Sequence, residues 1–368
     1  MDTKDWKKSK LLFDLKMTSQ ERKTPERSGF DLSKVAKTVE LLSRGNHISV
    51  GDTPNDIVSE TRLYRLLHYH SLVKRASSTP ILVVYALVNR SYVLDLQPNK
   101  SWIRHLLMQG FDVYLLDWKS PARIDKYVSF DDYVNSYIDD CVEIVQNNNS
   151  SDKITLHGYC MGSSMSAMYT SLHQEKIKNL VTIAPVVDTS KDTTVIANIS
   201  KQMDIDKLVS YIGYLPPEKL YECYSILKPF KQGVNKYYNL VENIDNESFV
   251  QNFLRIEKWL YDTPPIAGET IKQWINDIYK KNLLVKNQFK LGTTIVDLKK
   301  ITVPLLNIVA EEDHLVSPEC SVPLNEVVSS EDKRLIRFHT GHVGLIASSY
   351  SQNNVLPKVG QWIKSRSN

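Results

Sequence analysis

Cysteine is scarce: Cys141, Cys160, Cys223 and Cys320 are scattered over 368 residues. They form no C-x-x-C pair and no framework spacing, which argues against a disulfide scaffold and points to free thiols in a reducing compartment. Long apolar runs are also missing. No stretch is long enough to span a bilayer and none has the form of a signal-peptide core, so a cytoplasmic protein without a transmembrane segment is expected. Excess charge of either sign is absent too. The formal net charge is +4 and no basic block makes a binding stripe, so no nucleic-acid partner is expected. What is present, 42% hydrophobic and 24% charged residues, suits one large α/β domain with an insertion, or two domains.

Residues 1–50 read as a basic N-terminal extension with one helix. The first 30 are polar and Lys/Arg-rich around Leu11-Leu-Phe13, and are expected to be poorly ordered or partner-dependent. A helix is predicted from Asp31, with Leu32, Val35, Val39 and Leu42 on one face and Gly45 as its stop. Arg62 to Val73 could place His68 and His70 on one strand face, but two histidines are too few for a metal site, and no metal is expected.

Buried strands are predicted at Pro80 to Val88, Asp112 to Asp117, Ile154 to Tyr159 and Asn179 to Ala184, each a run rich in β-branched and apolar residues. Helices are predicted between them. One covers Ser101 to Gln109. Another is capped by Ser129 with Asp132 at its third position, and its apolar stripe (Tyr133, Val134, Tyr137, Ile138, Cys141, Val142, Val145) puts Cys141 in the core. The alternation implies a mostly parallel sheet with helices on both faces, spanning residues 51–187 and 300–368. Residues 188–299 interrupt it with a helical, aromatic-rich insertion in which no buried strand is expected. An insertion of that size at that place has the form of a cap over a site. The sheet resumes at Val303 to Val309 and Arg334 to Phe338, with a last helix near the C-terminus.

The stretch Gly158-Tyr-Cys-Met-Gly162 matches G-x-S-x-G, with cysteine in the nucleophile's place. The glycines let the backbone pass close to its neighbours at a sharp strand-to-helix turn. By itself the match is weak, because free cysteines are usually core residues. Two later strands supply what a cysteine nucleophile needs. One runs into Glu311-Glu-Asp-His314, the other into His339-Thr-Gly-His342, so the order is nucleophile, acid, histidine. Cys160 is assigned as nucleophile, His342 as general base and Asp313 as the carboxylate that orients it. Asp313 is preferred to Glu311 and Glu312 because it lies deepest in the turn before Leu315-Val316. His339 is read as continuing the strand, and His157 and His314 as packing or supporting residues. Ser164 and Ser166 are read as pointing away from the site. The oxyanion donors are expected to be the backbone N–H of Met161 and one near Val88 or Asn89. A cysteine thioester is close in energy to a coenzyme A thioester, so the acyl group stays activated. That favours acyl transfer over hydrolysis if water is kept out.

With these residues in view, the chain from about Gly51 to its end resembles the catalytic subunit of two-component (class III and class IV) polyhydroxyalkanoate synthases, of the α/β-hydrolase superfamily. The resemblance rests on Ala86-Leu-Val-Asn-Arg-Ser-Tyr-Val-Leu-Asp-Leu-Gln-Pro98, Gly110 to Trp118, Asp131 to Cys141, Trp259-Leu-Tyr-Asp-Thr-Pro-Pro-Ile-Ala-Gly268, Glu312-Asp-His-Leu-Val316 and Gly341-His342. It implies an α/β-hydrolase fold with a helical cap, and Cys160, Asp313 and His342 as catalytic residues. It also implies polymerisation of 3-hydroxyacyl groups, 3-hydroxybutyryl in the first instance, from coenzyme A thioesters. Coenzyme A is then a substrate part, and no cofactor is expected. The implied partners are a companion subunit, a second copy of the chain, the growing polyester and the granule surface. In such synthases the aspartate is often given a part in activating the 3-hydroxyl. One departure is Ser163, where the family usually has a second glycine; looser packing is expected there, with the nucleophile untouched. Another is Ser317, where a proline is common.

Two other readings compete. The same elbow, acid and histidine would serve an acyl-CoA thioesterase or cysteine-type hydrolase. A granule-associated binding protein that has lost activity is the third, and the intact Cys160, Asp313, His342 set argues against it.

Overall fold

The computed structural model describes residues 31–43, 48–227 and 234–367. The expectations for residues 1–30 and for Gly45 lie outside them. By its internal contacts the chain divides into two compact units. One comprises residues 1–49 and 221–258, the other 50–220 and 259–368. Part of the aromatic insertion therefore groups with the N-terminal helix, and the rest with the sheet.

In the smaller unit, helix α1 (Leu32–Ser43) forms where its periodicity predicts. Its outer positions Leu32 and Val39 are exposed rather than covered, while Thr38 is buried. The inward face is therefore rotated from the expected stripe. Lys37 pairs with Asp245 at 2.8 Å, and Lys258 donates to the carbonyl of Ile48 at 2.8 Å. Half-buried Lys236 also pairs with the buried Glu257 at 2.9 Å.

In the larger unit, an eight-stranded sheet carries the fold. Its strands are β1 (Asn55–Glu60), β2 (Tyr64–Tyr69), β3 (Ile81–Val84), β4 (Val113–Trp118), β5 (Ile154–Tyr159), β6 (Ile177–Ile183), β7 (Leu305–Ala310) and β8 (Lys333–Phe338). The order across the sheet is β1-β2-β4-β3-β5-β6-β7-β8. Strands β1 and β2 run antiparallel, and every pair from β4 to β8 is parallel. The central strands are buried along their whole length, as continuous apolar runs require when helices cover both faces. Helix α2 (Trp102–Met108) is capped by Ser101, whose side chain accepts from the N–H of Arg104. Ser129 and Asp132 make the expected reciprocal cap, with the Ser129 N–H and Oγ both 2.8 Å from the Asp132 carboxylate. A π-helical turn, Asp132–Ile138, leads from it into α3 (Asp139–Asn149), and Cys141 is fully buried. Pattern reading missed the π-turn because apolar spacing does not separate it from an α-turn.

The insertion is mainly helical but not strand-free. Tyr214–Leu215 pairs antiparallel with Ile266–Ala267, and both residues of the second segment are buried. The expectation of no buried strand there is corrected: two-residue bridges leave no periodic signal to read. Arg62 to Val73 is likewise corrected in part, since β2 ends at Tyr69 and His70 lies beyond it. His68 and His70 bind Asp112 and Asp56 respectively, at 2.8 and 2.9 Å. Among the described residues, no helix is long and apolar enough to cross a membrane.

Candidate active site

Strand register brings the site's loops to one edge. Val84 pairs with Gly158, Tyr159 with Ile183, Ile183 with Ile308 and Ala310 with Phe338. The chain therefore leaves β5, β7 and β8 on the same side of the sheet, the carboxyl edge where open α/β sheets place their chemistry.

Cys160 sits between β5 and α4 (Met161–His173) with φ 54° and ψ −125°. An L-residue is held there only by its surroundings, at a cost of about 1–3 kcal/mol. The Cys160 N–H donates to the Ile183 carbonyl at 2.8 Å, and the Cys160 carbonyl accepts from Ser163 N–H at 2.9 Å. The flanking glycines are required by contact rather than by freedom. A Cβ on Gly162 would collide with the Val84 carbonyl oxygen, and one on Gly158 with the Cα of Ser163. Ser163 does not loosen the turn, contrary to expectation. It is fully buried, its Oγ donates to the Ile183 carbonyl and accepts the Ile183 N–H, both at 2.9 Å. Ser164 and Ser166 turn away to the carbonyls of Val186 and Gly162.

The acid and histidine loops are stitched to each other. Glu311 N–H donates to Phe338 carbonyl at 2.9 Å and Glu312 N–H to Thr340 carbonyl at 3.0 Å. This brings Asp313 Oδ2 within 2.6 Å of His342 Nδ1, with both side chains buried. Asp313 Oδ1 accepts the N–H groups of Leu315 and Val316 at 2.8 and 3.0 Å, which fixes the carboxylate. Burial alone would lower the His342 imidazole. The charges of Asp313 and Cys160, with a hydrogen bond donated by the ring to each, outweigh it and raise the imidazole to about 10. Asp313 and Cys160 thus both act on one buried ring. Chemically this is an imidazole that can hold a proton beside a cysteine sulfur.

Glu311 and Glu312 are exposed and face His339, at 3.6 and 3.1 Å. His339 lies just past the end of β8 and does not continue the strand, because the chain there turns back to bond the acid loop. His314 is exposed, and His157 is buried in β5, accepting from Trp102 Nε1 at 3.1 Å. Met161 opens α4, and Val88 and Asn89 lie in the loop that follows β3, the strand beside β5. Among the described residues, no group of three or more His, Cys, Asp or Glu side chains is placed to hold a metal ion.

Sequence reasoning missed two supports. Tyr159, the residue before the cysteine, donates its hydroxyl to the His342 carbonyl at 3.3 Å. The Trp259–Thr263 segment bonds the loop after β3. The first has no sequence signal; the second lay inside a motif already singled out.

A strained cysteine elbow with a histidine and a carboxylate at later strand ends defines an enzyme of the α/β-hydrolase fold. Residues 79–348 match the family model described as alpha/beta hydrolase fold, and residues 29–106 that of the poly-beta-hydroxybutyrate polymerase (PhaC) N-terminus. Among solved structures, a soluble variant of monoglyceride lipase from Saccharomyces cerevisiae superposes with a TM-score of 0.53. It is 12% identical, and the match covers 88% of this chain and 98% of that one, a likeness of fold alone. The poly(3-hydroxyalkanoate) polymerase subunit PhaC of Haloferax mediterranei is 44% identical over 324 residues, 88% of this chain and 66% of that one. That of Allochromatium vinosum is 40% identical over 336 residues, 90% of this chain and 94% of that one. The chain belongs to the poly(3-hydroxyalkanoate) polymerase PhaC family.

Proposed function

We propose that this chain is the catalytic subunit of a polyhydroxyalkanoate synthase, an acyltransferase that builds polyester from (R)-3-hydroxyacyl-coenzyme A thioesters. The observation that carries the reading is the Cys160, His342, Asp313 arrangement in a chain of this family. A cysteine in the elbow keeps the acyl group activated, where a serine ester would be a stable resting point.

In this scheme the Cys160 thiolate attacks the thioester carbonyl, and the tetrahedral oxyanion is met by the N–H of Met161 and one from Val88 or Asn89. Protonated His342 gives its proton to the departing coenzyme A thiolate, leaving a thioester on Cys160 and a neutral imidazole. That imidazole then takes the proton of an incoming 3-hydroxyl as its oxygen attacks the Cys160 thioester. One ester bond forms, the C–S bond breaks and the thiolate–imidazolium pair returns. Asp313 holds His342 throughout, and a direct part in activating the hydroxyl is compatible with its position. The relatives' designation as subunits supports a companion chain in the working enzyme. Work in the cytoplasm at the surface of the accumulating polyester, as a homodimer or hetero-oligomer, follows from the same reading.

The test is coenzyme A release from 3-hydroxybutyryl-coenzyme A by the full chain, with and without its companion, with product mass followed in the same tube. Wild type is expected to release thiol while polyester grows, and Cys160→Ala to do neither. Thiol release with only free 3-hydroxybutyrate would turn the reading into a thioesterase.

A further inference from the structure

The loop after β3 is fastened far more heavily than a surface connection needs. Asn89 lies in the left-handed region, φ 60°, and is buried. Its Nδ2 donates to the Trp259 carbonyl at 3.1 Å and to Thr263 Oγ1 at 2.9 Å. Trp259 Nε1 returns a bond to the Arg90 carbonyl at 2.9 Å. Arg90 Nε donates to Asp262 Oδ1 at 3.1 Å, and the Tyr92 hydroxyl donates to Asp262 Oδ2 at 3.3 Å. On its other side the loop is held by Arg90 Nη2 donating to Ser120 Oγ at 2.7 Å and by Trp118 Nε1 donating to the Tyr85 carbonyl at 2.8 Å. All of these residues belong to the larger unit.

A buried amide whose two N–H groups are both spent on fixed acceptors has little freedom to rotate, because losing either bond leaves a buried donor unpaired. Its backbone is therefore fixed with it. Just upstream, Gly162 lies against the Val84 carbonyl and Tyr85, so the elbow helix and the start of this loop are packed backbone to backbone. Donors for a developing oxyanion act strongly only when held in place before the charge appears.

We infer that Asn89, Trp259 and Thr263 are positioning residues: they clasp the loop after β3 so that its backbone N–H faces the oxyanion formed at Cys160. This rests on the acyl-transfer reading above. It gives the Trp259–Thr263 motif a task in the chemistry, carried out from the far side of the loop and without contact with substrate.

The test compares Asn89→Ala, Thr263→Val and Thr263→Ser in the full chain with its companion. Three rates are read: acylation (the coenzyme A burst), steady-state kcat and KM, and alkylation of Cys160 by iodoacetamide, which forms no oxyanion. Asn89→Ala is expected to lose ten- to hundredfold in acylation and kcat with KM within twofold and alkylation unchanged. Thr263→Val is expected to lose about tenfold, and Thr263→Ser, which keeps the accepting oxygen, to recover most of it. Equal acylation in the two Thr263 variants would overturn the inference, as would alkylation falling in step with acylation. These two variants decide the matter if Asn89→Ala does not fold. Hydrolysis of p-nitrophenyl acetate, run beside the coenzyme A assay, reports the same oxyanion site. A wild type inactive on the thioester but sensitive to Thr263→Val in ester hydrolysis would therefore sink the polymerase reading and leave the clasp standing.

Discussion

Tyr159 and His342 touch twice: their ring centroids are 5.0 Å apart, and the Tyr159 hydroxyl donates to the His342 carbonyl at 3.3 Å. The residue that precedes Cys160 thus steadies the loop that carries His342. Tyr159→Phe keeps the ring and removes the hydroxyl, which is worth about 0.5–1.5 kcal/mol. A three- to tenfold drop in kcat with unchanged KM is expected in the coenzyme A release assay. An unchanged kcat would show that the loop holds itself.

Asp313→Asn should weaken the hold of His342 on its proton. In the wild type the ring is raised to about 10 against the pull of burial, chiefly by the charge of Asp313. The charged ring therefore stabilises the fold fully below about pH 6.5, and that contribution is lost as pH rises through about 10. With the carboxylate neutralised, Cys160 alone is left to oppose burial, so the ring should hold its proton less well. Alkylation of Cys160 by iodoacetamide at pH 7 is expected to slow at least tenfold. Cys141 and Cys320, whose thiols burial pushes far up, should stay unmodified in both proteins until they unfold.

His157 makes the opposite demand. Burial lowers its imidazole to about 4, so the fold keeps it neutral while the unfolded chain takes up a proton near 6.5. Stability is complete above about pH 6.5 and falls as pH drops toward 4, by about 3 kcal/mol from this group. His157→Gln retains an acceptor for Trp102 and removes the titration. Chemical denaturation at pH 7.5 and 4.5 should show a smaller acid loss in the variant than in wild type. Equal losses would assign the effect to another group.

Gly162→Ala should cost about 3 kcal/mol or more, since the added methyl meets the backbone of β3, which has nowhere to move. Ser163→Gly should cost less, because it adds no clash and removes only a small CH2OH side chain with its two hydrogen bonds to Ile183. Thermal midpoints of the two variants, compared with wild type, give the order.

Much of the site was legible in the chain because nucleophile elbows are local. Gly158, Cys160 and Gly162 answer to contacts within a few residues of the turn or with the adjacent strand, so their spacing carries the signal. Asp313 and His342 could be chosen because each lies in the loop just after a strand that follows the elbow in the chain, Leu305–Ala310 and Lys333–Phe338. The rotated face of α1, the two-residue bridge at Ile266–Ala267 and the π-turn before α3 could not be read, since each depends on what a segment packs against rather than on its own periodicity.

The sequence by itself determined the α/β alternation, the glycine-flanked turn at Cys160 and the chain order of cysteine, carboxylate and histidine, because strand burial and turn geometry are written in neighbouring residues. Only the tertiary structure decided that Asp313, and neither Glu311 nor Glu312, meets His342. It alone also decided that Tyr159 braces that histidine, and that Asn89 is locked to Trp259 and Thr263. Those pairings join residues 29 to 183 positions apart. No local pattern encodes them. They exist because strand register brings the carboxyl ends of β3, β5, β7 and β8 to one edge, where buried polar groups must find partners or leave their hydrogen bonds unmade.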